Sequence, residues 1–154
     1  MDQPSPDSKI VFRIEQEDGS VDVETPWATS LGNDLYRLEN SPFYAYGVSW
    51  LDVVCAPHDP DEDRPVFTKV VEKGGHRTVR VIFDPPVEDG NTSQGVLDRL
   101  VAAGASYEGA SRSYMAIDIP PNVELFEICE ILTQARIQWE HVDPTYEEIY
   151  GDDA

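Results

Sequence analysis

Positive charge is what this chain has least of. Eleven Lys and Arg stand against 30 Asp and Glu in 154 residues, for a formal net charge of −19. The deficit is spread evenly, with −9 on residues 1–73 and −10 on residues 74–154. A field of that sign repels phosphate backbones, which are bound by Lys and Arg with release of counterions. It also disfavours anionic membrane surfaces. Nucleic acids and membranes are therefore not expected partners. Encounter with a basic protein is favoured, in a salt-dependent way, and the same charge serves solubility.

Cysteine is scarce as well. Cys55 and Cys129 are flanked by aliphatic residues, without a C-x-x-C spacing or a basic neighbour, which predicts buried free thiols in a reducing compartment. The opening MDQPSPDSK has no apolar core of the kind a signal peptide needs. No apolar run approaches the ~20 residues of a membrane span. A cytoplasmic location is the expectation. The motifs of common chemistries are missing too. There is no G-x-S-x-G elbow and no G-x-x-x-x-G-K phosphate loop. His58, His76 and His141 are scattered without zinc-ligand spacing. No cofactor and no metal are expected, and no catalytic residue can be singled out.

What is present is strand material, then an alternation of strands and helices. Residues 1–8 are Pro-, Ser- and Asp-rich and read as disordered. Lys9–Glu15 alternates Ile10, Phe12 and Ile14 against Lys9, Val11, Arg13 and Glu15, and Val21–Thr25 alternates Val21, Val23 and Thr25 against Asp22 and Glu24. Leu35–Glu39 is a short strand. Leu51–Ala56, Val66–Val71 and Val79–Phe83 are rich in residues that suit a pleated surface, and Gly74-Gly75 suits a tight hairpin, so these three read as a meander. Its first turn, Pro57–Pro65, is polar and proline-broken. Residues 9–83 thus predict a small β-barrel or rolled antiparallel sheet.

After Phe83 the pattern changes. Thr92 or Ser93 can cap a helix carrying Val96, Leu97, Leu100 and Val101, which Gly104 ends. Arg112–Ile119 alternates Met115, Ile117 and Ile119 against Tyr114, Ala116 and Asp118. Asn122 can cap a second helix with the stripe Leu125, Ile128, Cys129 and Leu132. Ile137–Val142 is a last strand. With Val79–Phe83 shared from the first half, residues 84–147 predict a ferredoxin-like strand-helix-strand-helix-strand unit, α+β in class, followed by an acidic tail over 148–154.

The residues Trp27, Tyr36-Arg37-Leu38-Glu39-Asn40, Pro42-Phe43 and Ala45-Tyr46-Gly47-Val48 continue into Asp52-Val53-Val54 and Val70-Val71-Glu72. Further on stand Gly75-His76-Arg77-Thr78-Val79-Arg80-Val81, Gly109 and Ile117-Asp118-Ile119-Pro120-Pro121. Through these the chain resembles a bacterial family known as domain of unknown function 4265, over nearly its whole length. The resemblance implies a relative and brings no reaction or catalytic residues with it.

Three groups of side chains remain as binding candidates. His76 and Arg80, on one face of a strand start, could hold a phosphate or carboxylate, although Arg80 paired with one of the many acids is the expected arrangement. Asp61, Glu62 and Asp63, with Asp59, suggest a cation loop but lack the spacing of one, so a solvated loop is expected. Tyr44, Tyr46 and Trp50 are expected in the core of the first half; exposed, they would form an interface. Size, charge and the missing motifs together point to an acidic, non-enzymatic module that binds a basic protein, as an immunity or antitoxin-like factor does. A small-molecule sensor built on the α+β half is the alternative, and an enzyme using His76 and Arg80 a further one.

Overall fold

The computed structural model describes residues 6–151. Nine short strands make up the first half: β1 (Ser8–Lys9), β2 (Phe12–Glu15), β3 (Val21–Glu24), β4 (Trp27–Gly32), β5 (Leu35–Leu38), β6 (Val53–Cys55), β7 (His58–Asp59), β8 (Arg64–Pro65) and β9 (Lys69–Glu72). Five of them form an antiparallel sheet in the order β1-β4-β5-β6-β9, while β2–β3 and β7–β8 stand apart as hairpins. The sheet is open, with β1 and β9 as its two edges, so the expected closed barrel does not form. Strands of two to six residues are too short to tilt and stagger round a closed ring.

The second half runs β10 (Arg77–Ile82), α1 (Thr92–Ala102), β11 (Ser106–Gly109), β12 (Tyr114–Ile119), α2 (Leu125–Gln134), β13 (Gln138–Asp143) and α3 (Tyr146–Tyr150). Its four strands pair antiparallel in the order β11-β12-β10-β13. The chain is thus a mixed α and β fold of mostly antiparallel sheets with three helices among the described residues.

Alternation decides what each face of this second sheet does. Val79, Val81, Met115, Ile117 and Ile119 point to one side and meet Val96, Leu97 and Leu100 of α1 and Leu125, Ile128 and Leu132 of α2 in a single buried cluster. Asn91, not Thr92 or Ser93, caps α1, its side chain accepting from the Gln94 N–H. Glu124 occupies the cap position of α2 without a side-chain bond, in place of Asn122. The opposite face of the sheet presents Thr78, Arg80, Ala116 and Asp118, all buried. A second, separate cluster of Ile10, Phe12, Ala28, Leu38, Val48 and Val54 fills the first half.

Four expectations need correcting. The strand Val79–Phe83 does not close a meander: β9 pairs with β6 only, and β10 belongs to the second sheet. Gly74-Gly75 is therefore a link between sheets. The Gly74 N–H is taken by the Asp52 carboxylate at 2.8 Å, and a Cβ there would lie 2.7 Å from the Leu51 carbonyl oxygen, so the position requires glycine. Next, β11 lengthens the expected five-element unit to six; its Ser-Tyr-Glu-Gly carries no apolar alternation. Part of the expected disordered start is ordered, since Ser8 and Lys9 pair with Ala28 and Trp27, while residues 1–5 lie outside the described residues. Finally, residues 148–150 of the expected tail are helical. Thr145 and Glu148 form a reciprocal capping box at the start of α3, and residues 152–154 lie outside the described residues.

Candidate functional site

The segment between β5 and β6 threads across the buried polar face of the second sheet, and two charged side chains hold it there. From one side the Glu24 carboxylate, at the end of β3, accepts the N–H groups of Phe43 at 2.8 Å, Tyr44 at 3.0 Å and Ala45 at 2.8 Å. From the other the Arg80 guanidinium, 2% exposed, donates to the carbonyls of Ala45 at 2.9 Å, Tyr44 at 3.3 Å and Pro42 at 3.5 Å. Nε and Nη2 of Arg80 also bond Glu140 Oε1, at 3.2 and 3.0 Å. The guanidinium carbon lies 4.6 Å from the centre of the Tyr46 ring, and the Tyr46 hydroxyl donates to Glu140 at 2.8 Å. Tyr114 on β12 donates to the Phe43 carbonyl.

Alongside this clamp runs a seam of buried acids. Lys73 donates to Asp52 at 2.5 Å and Asp143 at 2.6 Å, joining the two halves of the chain. Ser49 bonds Thr78 at 2.7 Å and donates to Asp143 at 2.6 Å. Burial pulls the Lys73 ammonium toward neutrality, but its hydrogen bonds to Asp143 and Asp52 outweigh that and leave its pKa raised. Burial also raises the Asp118 carboxyl, against the opposing pull of His76, and raises Glu108 against the Ser41 N–H and Asn40. The Cys129 thiol is pushed up to about 11 by burial.

His76 and Arg80, the sharpest pair in the sequence, are not brought together on a common partner. His76 Nδ1 meets Asp118 at 2.9 Å and its ring stands edge-on to Trp50, centroids 5.0 Å apart. Every bond of Arg80 goes elsewhere, into the clamp. In the acidic loop Glu62 pairs with Arg13, Asp63 lies 3.1 Å from His58, and Asp61 offers its N–H to Asp59. No group of three or more potential metal ligands gathers among the described residues. Tyr44 and Tyr46 are exposed, 47% and 51%, which corrects their expected place in the core. Glu24 and Arg80 hold the Tyr44 backbone, and the Tyr46 ring is kept outside by its contacts with Arg80 and Glu140. Trp50 is half-buried.

The Tyr46 ring borders an open groove of about 780 Å³ that the sequence did not single out. Tyr46 and Glu140 stand at one side of it; Tyr146, Glu147 and Tyr150 of α3 stand at the other. Trp139 and His141 of β13 form its floor. The ring centroids of Trp139 and His141 are 4.8 Å apart, those of His141 and Tyr150 5.8 Å, and those of Tyr146 and Tyr150 4.7 Å. No Lys or Arg lines it. His141 is 8% exposed, and its Nδ1, closed off from water, finds no hydrogen-bond partner among the described residues. Burial lowers the pKa of this imidazole and keeps it neutral. A smaller hollow of about 230 Å³ adjoins through Trp139 and Glu140 and reaches Arg80, Ile82 and Tyr114. The signal for α3 was in the sequence, as the Thr145-x-x-Glu148 capping box with Tyr146 and Tyr150 one turn apart.

This arrangement defines an α+β domain bearing an aromatic and acidic concavity. The chain belongs to the family described as Domain of unknown function (DUF4265), whose profile matches residues 24–141; Tyr146 and Tyr150 lie beyond the matched span. No curated protein matches the sequence. Among solved structures it is similar in fold to one described as a "Novel crystal structure of a hypothetical protein from Neisseria gonorrhoeae", with a TM-score of 0.77 at 11% identity, covering 94% of this chain and 99% of that one.

Two outcomes test the roles assigned to these side chains. Arg80→Met leaves three carbonyls without their donor and Glu140 without its cation, and lowers the unfolding free energy by about 2–4 kcal/mol in urea titration. Arg112→Met, which breaks only an exposed pair with Glu88 at 3.8 Å, changes it by about 0.5 kcal/mol or less. The second concerns pH. Because His141 has a lower pKa folded than unfolded, its neutral form contributes stability above its ordinary value of about 6.5, and that contribution is lost as pH falls through the folded value. The melting temperature of His141→Phe, relative to the native chain, is therefore higher at about pH 5.5 than at about pH 8.

Proposed function

We propose that the protein is an acidic, non-enzymatic module that binds a basic protein partner and inhibits or regulates it, in the manner of an immunity or antitoxin-like factor. The observation that carries this reading is the groove. It is an exposed, aromatic-walled concavity with carboxylates and no cation in its lining, on a chain of net charge −19. Aromatic rings with charged neighbours are the usual anchors of protein interfaces, and a surface of one sign selects partners of the other and speeds their encounter. The non-enzymatic side is supported by Arg80, whose guanidinium is committed to loop carbonyls and Glu140. The same field argues against nucleic acids and anionic membranes as partners. No helix among the described residues is long and apolar enough to cross a membrane, and a cytoplasmic place of action goes with this reading. The strand order β11-β12-β10-β13 with both long helices on one face supports a ferredoxin-like description of the second half.

The groove's volume lies in the range of small-molecule sites, roughly 300–1,000 Å³, and that favours a metabolite sensor as the second reading. The two readings separate in solution. Immobilised protein should retain a specific basic protein from its native cell at low salt and release it as ionic strength rises past about 0.1 M, where screening shortens to about 10 Å. Retention that is indifferent to salt, or none at all, contradicts the first reading. In a metabolite screen the second predicts a saturable rise in melting temperature, whereas the first predicts no such rise; a ligand at 100 times its Kd adds about 2.7 kcal/mol.

A further inference from the structure

The groove is built to take a guanidinium group, and we propose that it is the receptor for an arginine side chain presented by the basic partner. This rests on the binding-module reading and adds the chemistry of the contact.

The fold already contains one worked instance. Arg80 lays its guanidinium against the Tyr46 ring while its edge meets the Glu140 carboxylate. Planarity is what makes this possible, because a flat delocalised cation stacks on a ring and forks onto a carboxylate at once. The groove offers the same parts a second time without an internal cation. Tyr146 and Tyr150 present a ring pair 4.7 Å apart, Trp139 adds the ring type that attracts cations best, and Glu147 supplies a carboxylate at the rim. Glu140 borders the groove from the other face of β13, where Arg80 and the Tyr46 hydroxyl already hold it.

His141 completes the aromatic lining, while its orphaned Nδ1 lies behind the surface, closed to water and to a guest in the groove. Its ring sits in the groove floor, ringed by Trp139, Tyr146 and Tyr150. His141 adds aromatic wall, and the cation nearest the lining, Arg80 behind Tyr46 and Glu140, is already paired. An anionic ligand would meet Glu140 and Glu147 with no Lys or Arg in the lining to receive it. An ammonium would lack the stacking that a plane allows.

The test uses the whole chain and three probes: N-acetyl-arginine amide, its neutral isostere N-acetyl-citrulline amide, and N-acetyl-lysine amide. Indole N–H resonances report the site, with Trp139 in the groove and Trp27 and Trp50 outside its lining as internal controls. The arginine probe is expected to shift the Trp139 resonance saturably, with a roughly millimolar Kd, and to leave the other two in place. Tyr146→Leu and Glu147→Gln should each weaken this binding about three- to tenfold. Because Glu147 is exposed, its variant keeps the test decisive even if Tyr146→Leu disturbs α3. Equal binding of the citrulline or lysine probe, or arginine binding unchanged in Glu147→Gln, overturns the assignment. If both variants retain a basic partner as well as the native chain does, the module reading stands and the groove assignment falls. If the arginine probe binds in the groove but no basic partner is retained, the assignment stands and the module reading falls.

Discussion

The fold depends on a grip applied to four residues of irregular chain. The segment Pro42–Ala45 has no sheet partner, so its backbone groups must be satisfied some other way when it is laid against a sheet. Glu24 takes three N–H groups and Arg80 takes three carbonyls. A carboxylate is acceptor-only and a guanidinium donor-only, so each can satisfy one kind of backbone group and neither can replace the other. Desolvating Arg80 is costly, and Glu140 beside it provides the compensating charge. The groove follows from the same side chains, since Arg80 and Glu140 keep the Tyr46 ring outside.

Around that grip the two halves meet through polar groups rather than through one shared apolar core. The apolar clusters are separate, one beneath the helices and one within the open sheet. Between them lie Asp52, Asp118, Asp143 and Thr78, all nearly closed to water. Burying acids in a chain already short of cations asks much of the few bases available. Lys73 serves two of these carboxylates at once, and Asp52 also receives the N–H groups of Ser49 and Gly74. At Asp118 the help of His76, Ser106 and Arg77 does not offset burial, and the carboxyl pKa stays raised.

The sequence disclosed those parts of the fold that periodicity controls. The stripes Leu97–Leu100 and Leu125–Ile128–Leu132 and the alternation Met115–Ile117–Ile119 lie on the buried faces that their spacing indicates, although Val101 falls outside, 48% exposed. Pairing was harder to read. Val79–Phe83 has the composition of a strand whichever neighbour it takes, and nothing in a pleat says that Gly74 will be held by Asp52 instead of turning a hairpin. Ser106–Gly109 was missed because its edge position carries polar residues. Arg80 beside an acid was legible in kind, but not its three carbonyls. Tyr44 and Tyr46 were read inward because aromatic residues usually bury, a tendency that the clamp of Glu24, Arg80 and Glu140 overrides. The groove escaped notice because its walls come from residues about a hundred positions apart.

One of those walls is a helix of five residues. A single turn of helix does not persist on its own in water, so α3 keeps its shape through the Thr145–Glu148 box and through Tyr146 and Tyr150 resting near His141. The opposite wall, by contrast, is anchored by Arg80 in the interior. The cleft thus has unlike walls, one fixed from the interior by a buried guanidinium and the other by a single capped turn leaning on His141.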